Sequence, residues 1–125
     1  MNEADIYAAI GEDGFARLVR AFYAQVPADD ILGPMYQGSD LAGAEHRLRE
    51  FLVFRFGGPA RYIEERGHPR LRLRHAPFRI DSRARDRWLQ LMDHALDAAA
   101  LPADADRVFR EFFRGTAEFL VNRPG

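Results

Sequence analysis

The chain reads as an all-α protein, on three observations. Large apolar residues recur at three- and four-residue spacing along four long stretches, the pattern of helices packed on a core. Abrupt stops, Gly57-Gly58-Pro59 and Pro102 among them, separate those stretches, and the polar pairs Ser39-Asp40 and Asp81-Ser82 stand where N-caps belong. Period-two alternation, which would announce a strand, is confined to one short run from Arg70 to Arg74.

Taken in order, Ile6, Tyr7 and Ile10 place a short first helix near residues 3–10, ended by Gly11. From Asp13 the positions Phe15, Leu18, Val19, Phe22, Tyr23 and Val26 follow one helix face, and Pro27 closes it. Ile31, Leu32, Met35 and Tyr36 give about one turn before the break at Gln37-Gly38. A helix capped by Ser39 or Asp40 then runs from Leu41 to about Phe56. It has Leu41, Ala44, Leu48, Phe51 and Leu52 on its inner side and Arg47 and Glu50 outside.

Residues 59–70 have only Tyr62 and Ile63 as large apolar anchors and read as a loop with one helical turn. After residue 80, Asp81 or Ser82 caps a helix whose inner face is Trp88, Leu91, Met92, Ala95 and Leu96. The last helix begins between Ala103 and Asp106 and carries a broad stripe of Val108, Phe109, Phe112, Phe113, Ala117, Leu120 and Val121. Asn122-Arg123-Pro124-Gly125 ends the chain.

Composition narrows the chemistry. With 125 residues, 47% hydrophobic, the chain is expected to form one domain, 1–125, around one core. The net charge is -1, so no overall field points to nucleic acid. All 18 cations are arginine, which excludes a Schiff-base or P-loop lysine. No cysteine is present, which excludes thiolate nucleophiles, disulfides, iron–sulfur clusters and thioether-linked haem. The only hydroxyls of the Ser/Thr type are Ser39, Ser82 and Thr116, and the two serines read as helix caps, so a serine triad is not expected. The acidic start Met1-Asn2-Glu3-Ala4-Asp5 has no signal-peptide pattern, and no apolar run reaches membrane-spanning length, so a cytoplasmic protein without membrane partners is expected.

The stretch from Gly67 to Ile80 sets two of the four histidines, His68 and His75, between Pro69 and Pro77 and separates the two aromatic-rich halves. Leu71 and Leu73 alternate with Arg70, Arg72 and Arg74, which reads as an edge strand ending at His75. The same histidine is also a candidate ligand for a metal, and the residues alone leave both readings open.

Ten phenylalanines, four tyrosines and one tryptophan are more flat apolar surface than a small bundle ordinarily needs, though such stripes are often simply core. Tyr23, Tyr36 and Trp88 add a sharper clue, because three polar-tipped aromatics fall on the inner faces of different helices. Three donors converging on one region suggest an acceptor held inside the protein.

From about Ile6 to Val121 the chain resembles the group II truncated haemoglobins, the two-over-two helical globins. The resemblance rests on Phe22-Tyr23-Ala24-Gln25-Val26, Leu41-Ala42-Gly43-Ala44-Glu45 leading to Leu48, Gly57-Gly58-Pro59, Gly67-His68-Pro69-Arg70-Leu71, Arg74-His75-Ala76-Pro77-Phe78 and Trp88-Leu89. It implies a helical sandwich around a b-type haem, with His75 as the proximal iron ligand and its other ring nitrogen donating to a backbone carbonyl. The period-two run would then be loop passing into a short helix.

By the same resemblance Tyr23, Tyr36 and Trp88 are distal donors, with Ala44 where many globins have a distal histidine and Leu48 completing the wall. Arg47, Arg74 and Tyr62 match positions that hold haem propionates, and Phe51, Leu52 and Phe78 complete the haem-binding set. His46, His68 and His94 are expected to be structural. One departure stands out: the glycine pair usual between the first two helices is here Gly11 and Gly14, separated by Glu12-Asp13.

The implied function is reversible binding or transport of dioxygen, with carbon monoxide and nitric oxide as further diatomic ligands. A haem redox enzyme at the same site, a nitric oxide dioxygenase or a peroxidase-like protein, is the alternative. The chain has no flavin motif, so that alternative needs an external reductase, and the resemblance leaves room for a homodimer. A haem-free helical interaction domain, with the aromatics as core, is the third reading.

Overall fold

Helices form where the apolar period places them. In the computed structural model, which describes residues 1–124, a 3-10 turn at Glu3–Asp5 leads into α1 (Ile6–Tyr23). There follow α2 (Leu32–Tyr36), α3 (Leu41–Arg55), α4 (Arg61–Arg66), α5 (Leu71–His75), α6 (Ser82–Ala99) and α7 (Ala103–Leu120). No strand occurs among the described residues, so the all-α expectation holds. Gly125, the end of the C-terminal run, lies outside them. Among the described residues no helix is long and apolar enough to cross a membrane.

The architecture is two helix pairs laid across each other. α1 packs on α3 and, more extensively, on α6, while α6 also packs on α7. Phe15, Phe22, Phe56 and Phe109 are fully buried where these helices meet. Phe109 stands edge-on to Phe15 at 5.8 Å and lies 4.8 Å from Phe56, so α1, the end of α3 and α7 share one aromatic knot. A polar bolt joins the crossing as well: Gln25 Nε2 donates to Leu91 O at 2.8 Å and to Ala21 O at 3.1 Å.

Two glycines do what no other residue could. The break expected at Gly11 is a kink rather than an end, for α1 continues through it with Gly11 at φ 65°, ψ 179°. At the end of α3, Gly57 has φ 96°, and a Cβ there would lie 2.2 Å from the Ala4 carbonyl oxygen. The glycine motif thus lets the N-terminal turn close over α3, where Tyr7 N donates to Phe56 O at 3.0 Å.

Capping follows the sequence: Asp40 accepts from Gly43 N at 3.0 Å and Asp81 from Ala84 N at 2.9 Å. Three expectations are corrected. The first long helix ends at Tyr23, with turns rather than helix through Val26. The period-two run is the short helix α5 that the resemblance implied and not the strand its local alternation suggests, because Arg70 turns the chain in the left-handed region (φ 44°) and Arg74 N then bonds Arg70 O at 2.9 Å. Glu50, expected outside, is only 5% exposed. α4 folds over that side of α3, and its Arg61 Nε donates to Glu50 Oε2 at 2.6 Å, so the buried carboxylate is paired.

Candidate functional site

All seven helices contribute to one cavity of about 440 Å³, a size suited to a small-molecule or cofactor site. It is lined by every residue the sequence nominated: Tyr23, Tyr36, Ala44, Arg47, Leu48, Phe51, Leu52, Tyr62, Arg74, His75, Phe78 and Trp88. His46, His68 and His94 are not among the lining residues. His46 instead bridges Glu65 (3.3 Å) and Arg49 (3.2 Å), and His68 Nδ1 accepts from Arg70 N at 3.1 Å.

His75 ends α5 half-buried at the cavity wall. Its Nδ1 lies 2.7 Å from Leu71 O. A carbonyl can only accept, so Nδ1 carries a proton, and Nε2 is the nitrogen left to face a ligand. This is the arrangement a metal-binding imidazole needs, with one nitrogen fixing the ring and the other free. Among the described residues no group of three or more His, Asp or Glu side chains could hold a metal ion. A solitary imidazole would suit an iron whose remaining protein-independent ligands come from a macrocycle, and the apolar, aromatic walls would suit the macrocycle's faces.

A second part of the wall is aromatic and polar-tipped. Fully buried Phe22 sits 5.0 Å from Tyr23, edge-on, and 5.1 Å from Trp88, while Tyr23 meets Tyr36 edge-on at 5.9 Å. One core ring therefore sets the positions of side chains from α1 and α6, and Tyr23 passes that order to α2. Burial, and then the neighbouring Tyr36, pushes the Tyr23 phenol far above its ordinary range. Burial also raises Tyr36, opposed by a hydrogen bond from Tyr23 and by the charge of Arg47. Both phenols stay protonated, and so stay donors, across the physiological range. Ala44 and Leu48 make the α3 side of the cavity, which presents no polar group at those two positions.

The charged residues divide by duty. Arg47 is exposed, lines the cavity and faces the two phenols closely enough to act on their titration. Arg74 is tied down: Nε donates to Pro69 O at 2.6 Å, and Nη2 to Arg66 O at 2.7 Å and His68 O at 3.1 Å. Only its Nη1 protons remain for a carboxylate. Its guanidinium also lies 6.0 Å over the ring of Tyr62, which is buried and edge-on to Phe51 at 5.5 Å. Phe78, 43% exposed, stands at the rim beside His75, ring to ring at 6.3 Å.

The sequence reading missed a side of the cavity. Phe112, Phe113, Thr116, Ala117 and Leu120 of α7 line it, as do Arg66, Ile80 and Arg85. The signal was the width of the α7 stripe, too broad for one helix-helix contact, but the same stripe also packs into the core.

Similarity to known proteins agrees with this geometry. The bacterial-like globin family matches residues 5–121. The group 2 truncated hemoglobin YjbI of Bacillus subtilis is 40% identical over 121 residues, covering 94% of this chain and 88% of its own. Among solved structures, the thermostable hemoglobin of Thermobifida fusca is 50% identical with a TM-score of 0.91, covering 96% of this chain and 98% of that one. The oxygen-avid truncated haemoglobin of Bacillus subtilis superposes with a TM-score of 0.88 at 37% identity, covering 94% and 98%.

Proposed function

Because the chain belongs to the bacterial-like globin family and, within it, to the group II truncated haemoglobins, we propose that it holds a b-type haem through His75 and binds dioxygen reversibly. Haem supplies an iron with one coordination position left for a diatomic guest, dioxygen, carbon monoxide or nitric oxide.

Each cavity residue has a duty on this reading. His75 offers Nε2 while Leu71 O fixes its ring. Phe51, Leu52, Leu48, Ala44 and Phe78 give the macrocycle its apolar contacts and keep bulk water out. Arg47, the free protons of Arg74 and the Tyr62 hydroxyl face the carboxylates at its edge. Tyr23, Tyr36 and Trp88 would offer hydrogen-bond donors to a diatomic guest held in the cavity. Two such bonds at about 1.5 kcal/mol each slow its escape roughly a hundredfold.

The observation that carries the proposal is an imidazole, held through Nδ1 by Leu71 O, on the wall of a cavity that also presents two phenols and an indole. The test is an optical spectrum of protein expressed with haem available. A Soret band that shifts on reduction and again with carbon monoxide supports it, and no Soret band overturns it.

The crowding of donors supports a second reading, redox chemistry on nitric oxide or peroxide with an external reductase. A slowly released guest is better suited to reaction than to delivery. Turnover no faster in the native protein than in a Tyr23→Phe, Trp88→Phe variant would remove that reading.

A further inference from the structure

The side chain of Asn122, just past α7, is fully engaged with the segment that follows His75. Its Oδ1 accepts from Ile80 N at 2.9 Å, and Nδ2 donates to Phe78 O at 3.0 Å and to His75 O at 3.4 Å. An amide has two donor protons, and both are used. The backbone adds two bonds at the same place, Asn122 N to Ile80 O at 2.8 Å and Arg123 N to Ile80 O at 3.2 Å. Residues 76–80 have no regular structure of their own, so these bonds satisfy backbone groups that helix or sheet would otherwise take up.

α5 needs such help. A five-residue helix is unstable by itself, this one has no side-chain N-cap, and none of its residues is buried. Arg74 gathers the loop before the helix, through the carbonyls of residues 66, 68 and 69. Asn122 gathers the loop after it and ties it to the end of α7, from 42 to 47 residues away in sequence. The imidazole lies between the two clamps.

We propose that Asn122 is a positioning residue for the proximal ligand: by holding the carbonyls of His75 and Phe78 and the N–H of Ile80, it sets where His75 presents Nε2. The inference rests on His75 being the haem ligand, and the experiment separates the two. Haem-loaded wild type, Asn122→Ala, Asn122→Asp, Val121→Ala and His75→Ala are compared by haem transfer to an excess of apomyoglobin and by the iron–histidine stretching band in the resonance Raman spectrum of the ferrous form.

Asn122→Ala is expected to lose haem about tenfold faster than wild type and to shift or broaden the band. Asn122→Asp keeps the acceptor for Ile80 N–H but loses both donors, so it should show most of the same change. Val121→Ala weakens the same end of α7 without touching the amide. It should leave the band in place even where thermal stability falls. If Asn122→Ala and Asn122→Asp leave band and transfer rate at wild-type values, or if Val121→Ala moves the band as far as they do, the clamp is overturned. If His75→Ala retains haem as tightly as wild type, the ligand assignment itself fails, whatever Asn122 does.

Discussion

Tyr23 and Trp88 are carried by 18-residue helices whose other faces are sealed in the core, whereas His75 sits at the end of a five-residue helix with no buried residue. The first pair is placed by packing: Phe22 touches both rings and is itself fully buried. The second region is placed by hydrogen bonds from Arg74 and Asn122 to backbone carbonyls. Packing is distributed over many weak contacts, so its failure is a failure of the fold. Hydrogen-bond clamps are few and local, so theirs is a failure of the site.

Perturbations should therefore separate the two regions. The largest effect is expected from His75→Ala, which removes the imidazole itself. The purified protein should carry no haem, read as loss of the Soret band, with the helical circular dichroism preserved. Next, Phe22→Ala should lower the unfolding free energy by about 3–5 kcal/mol, measured by urea titration, because it leaves a void where α1, α6 and two cavity residues meet. If that variant lost haem without losing stability, the packing account of this wall would be broken.

A Tyr23→Phe, Trp88→Phe variant keeps an aromatic ring at both positions, though a smaller one at 88, and removes two donors. Dioxygen release in stopped flow should be about a hundredfold faster, with stability lowered by about 1–2 kcal/mol because the smaller ring leaves a gap against Phe22 and Phe113. Smaller still, Arg74→Ala should speed haem loss about tenfold, with little change in urea midpoint, since the guanidinium holds a loop and not the core.

The mildest test uses alkali. The folded state keeps the Tyr23 and Tyr36 protons more tightly than the ordinary phenol value of 10.0. Their stabilisation is whole below about pH 10 and is lost above it, where the unfolded chain ionises first. Tyr23→Phe should flatten the fall in urea midpoint above that pH, and an unchanged slope would show that burial does not act on this phenol.

Much of the aromatic wall was legible in the sequence because helix period alone turns Tyr23, Tyr36 and Trp88 inward. The wall around His75 was less legible. A period-two run of five residues looks like strand when read locally, and only the left-handed turn at Arg70, with no neighbouring strand to pair, makes it helix. Glu50 escaped for a related reason: its side of α3 is covered by α4, a helix the periodicity reduced to one turn within a loop, and Arg61 arrives from there. Arg74 was matched to a propionate by resemblance, and its three carbonyl bonds depend on how the loop around it folds.

Spacing along single segments sufficed for the all-α class, most helix faces, the cap positions to within one residue and the inward Tyr23, Tyr36 and Trp88, while the other candidate site residues came from the family resemblance. Only the packed fold settled that α7 closes the cavity and that Asn122 reaches back to the loop beside His75. Those are contacts between groups tens of residues apart, and nothing in a local pattern records where a distant carbonyl will stand once the helices have packed.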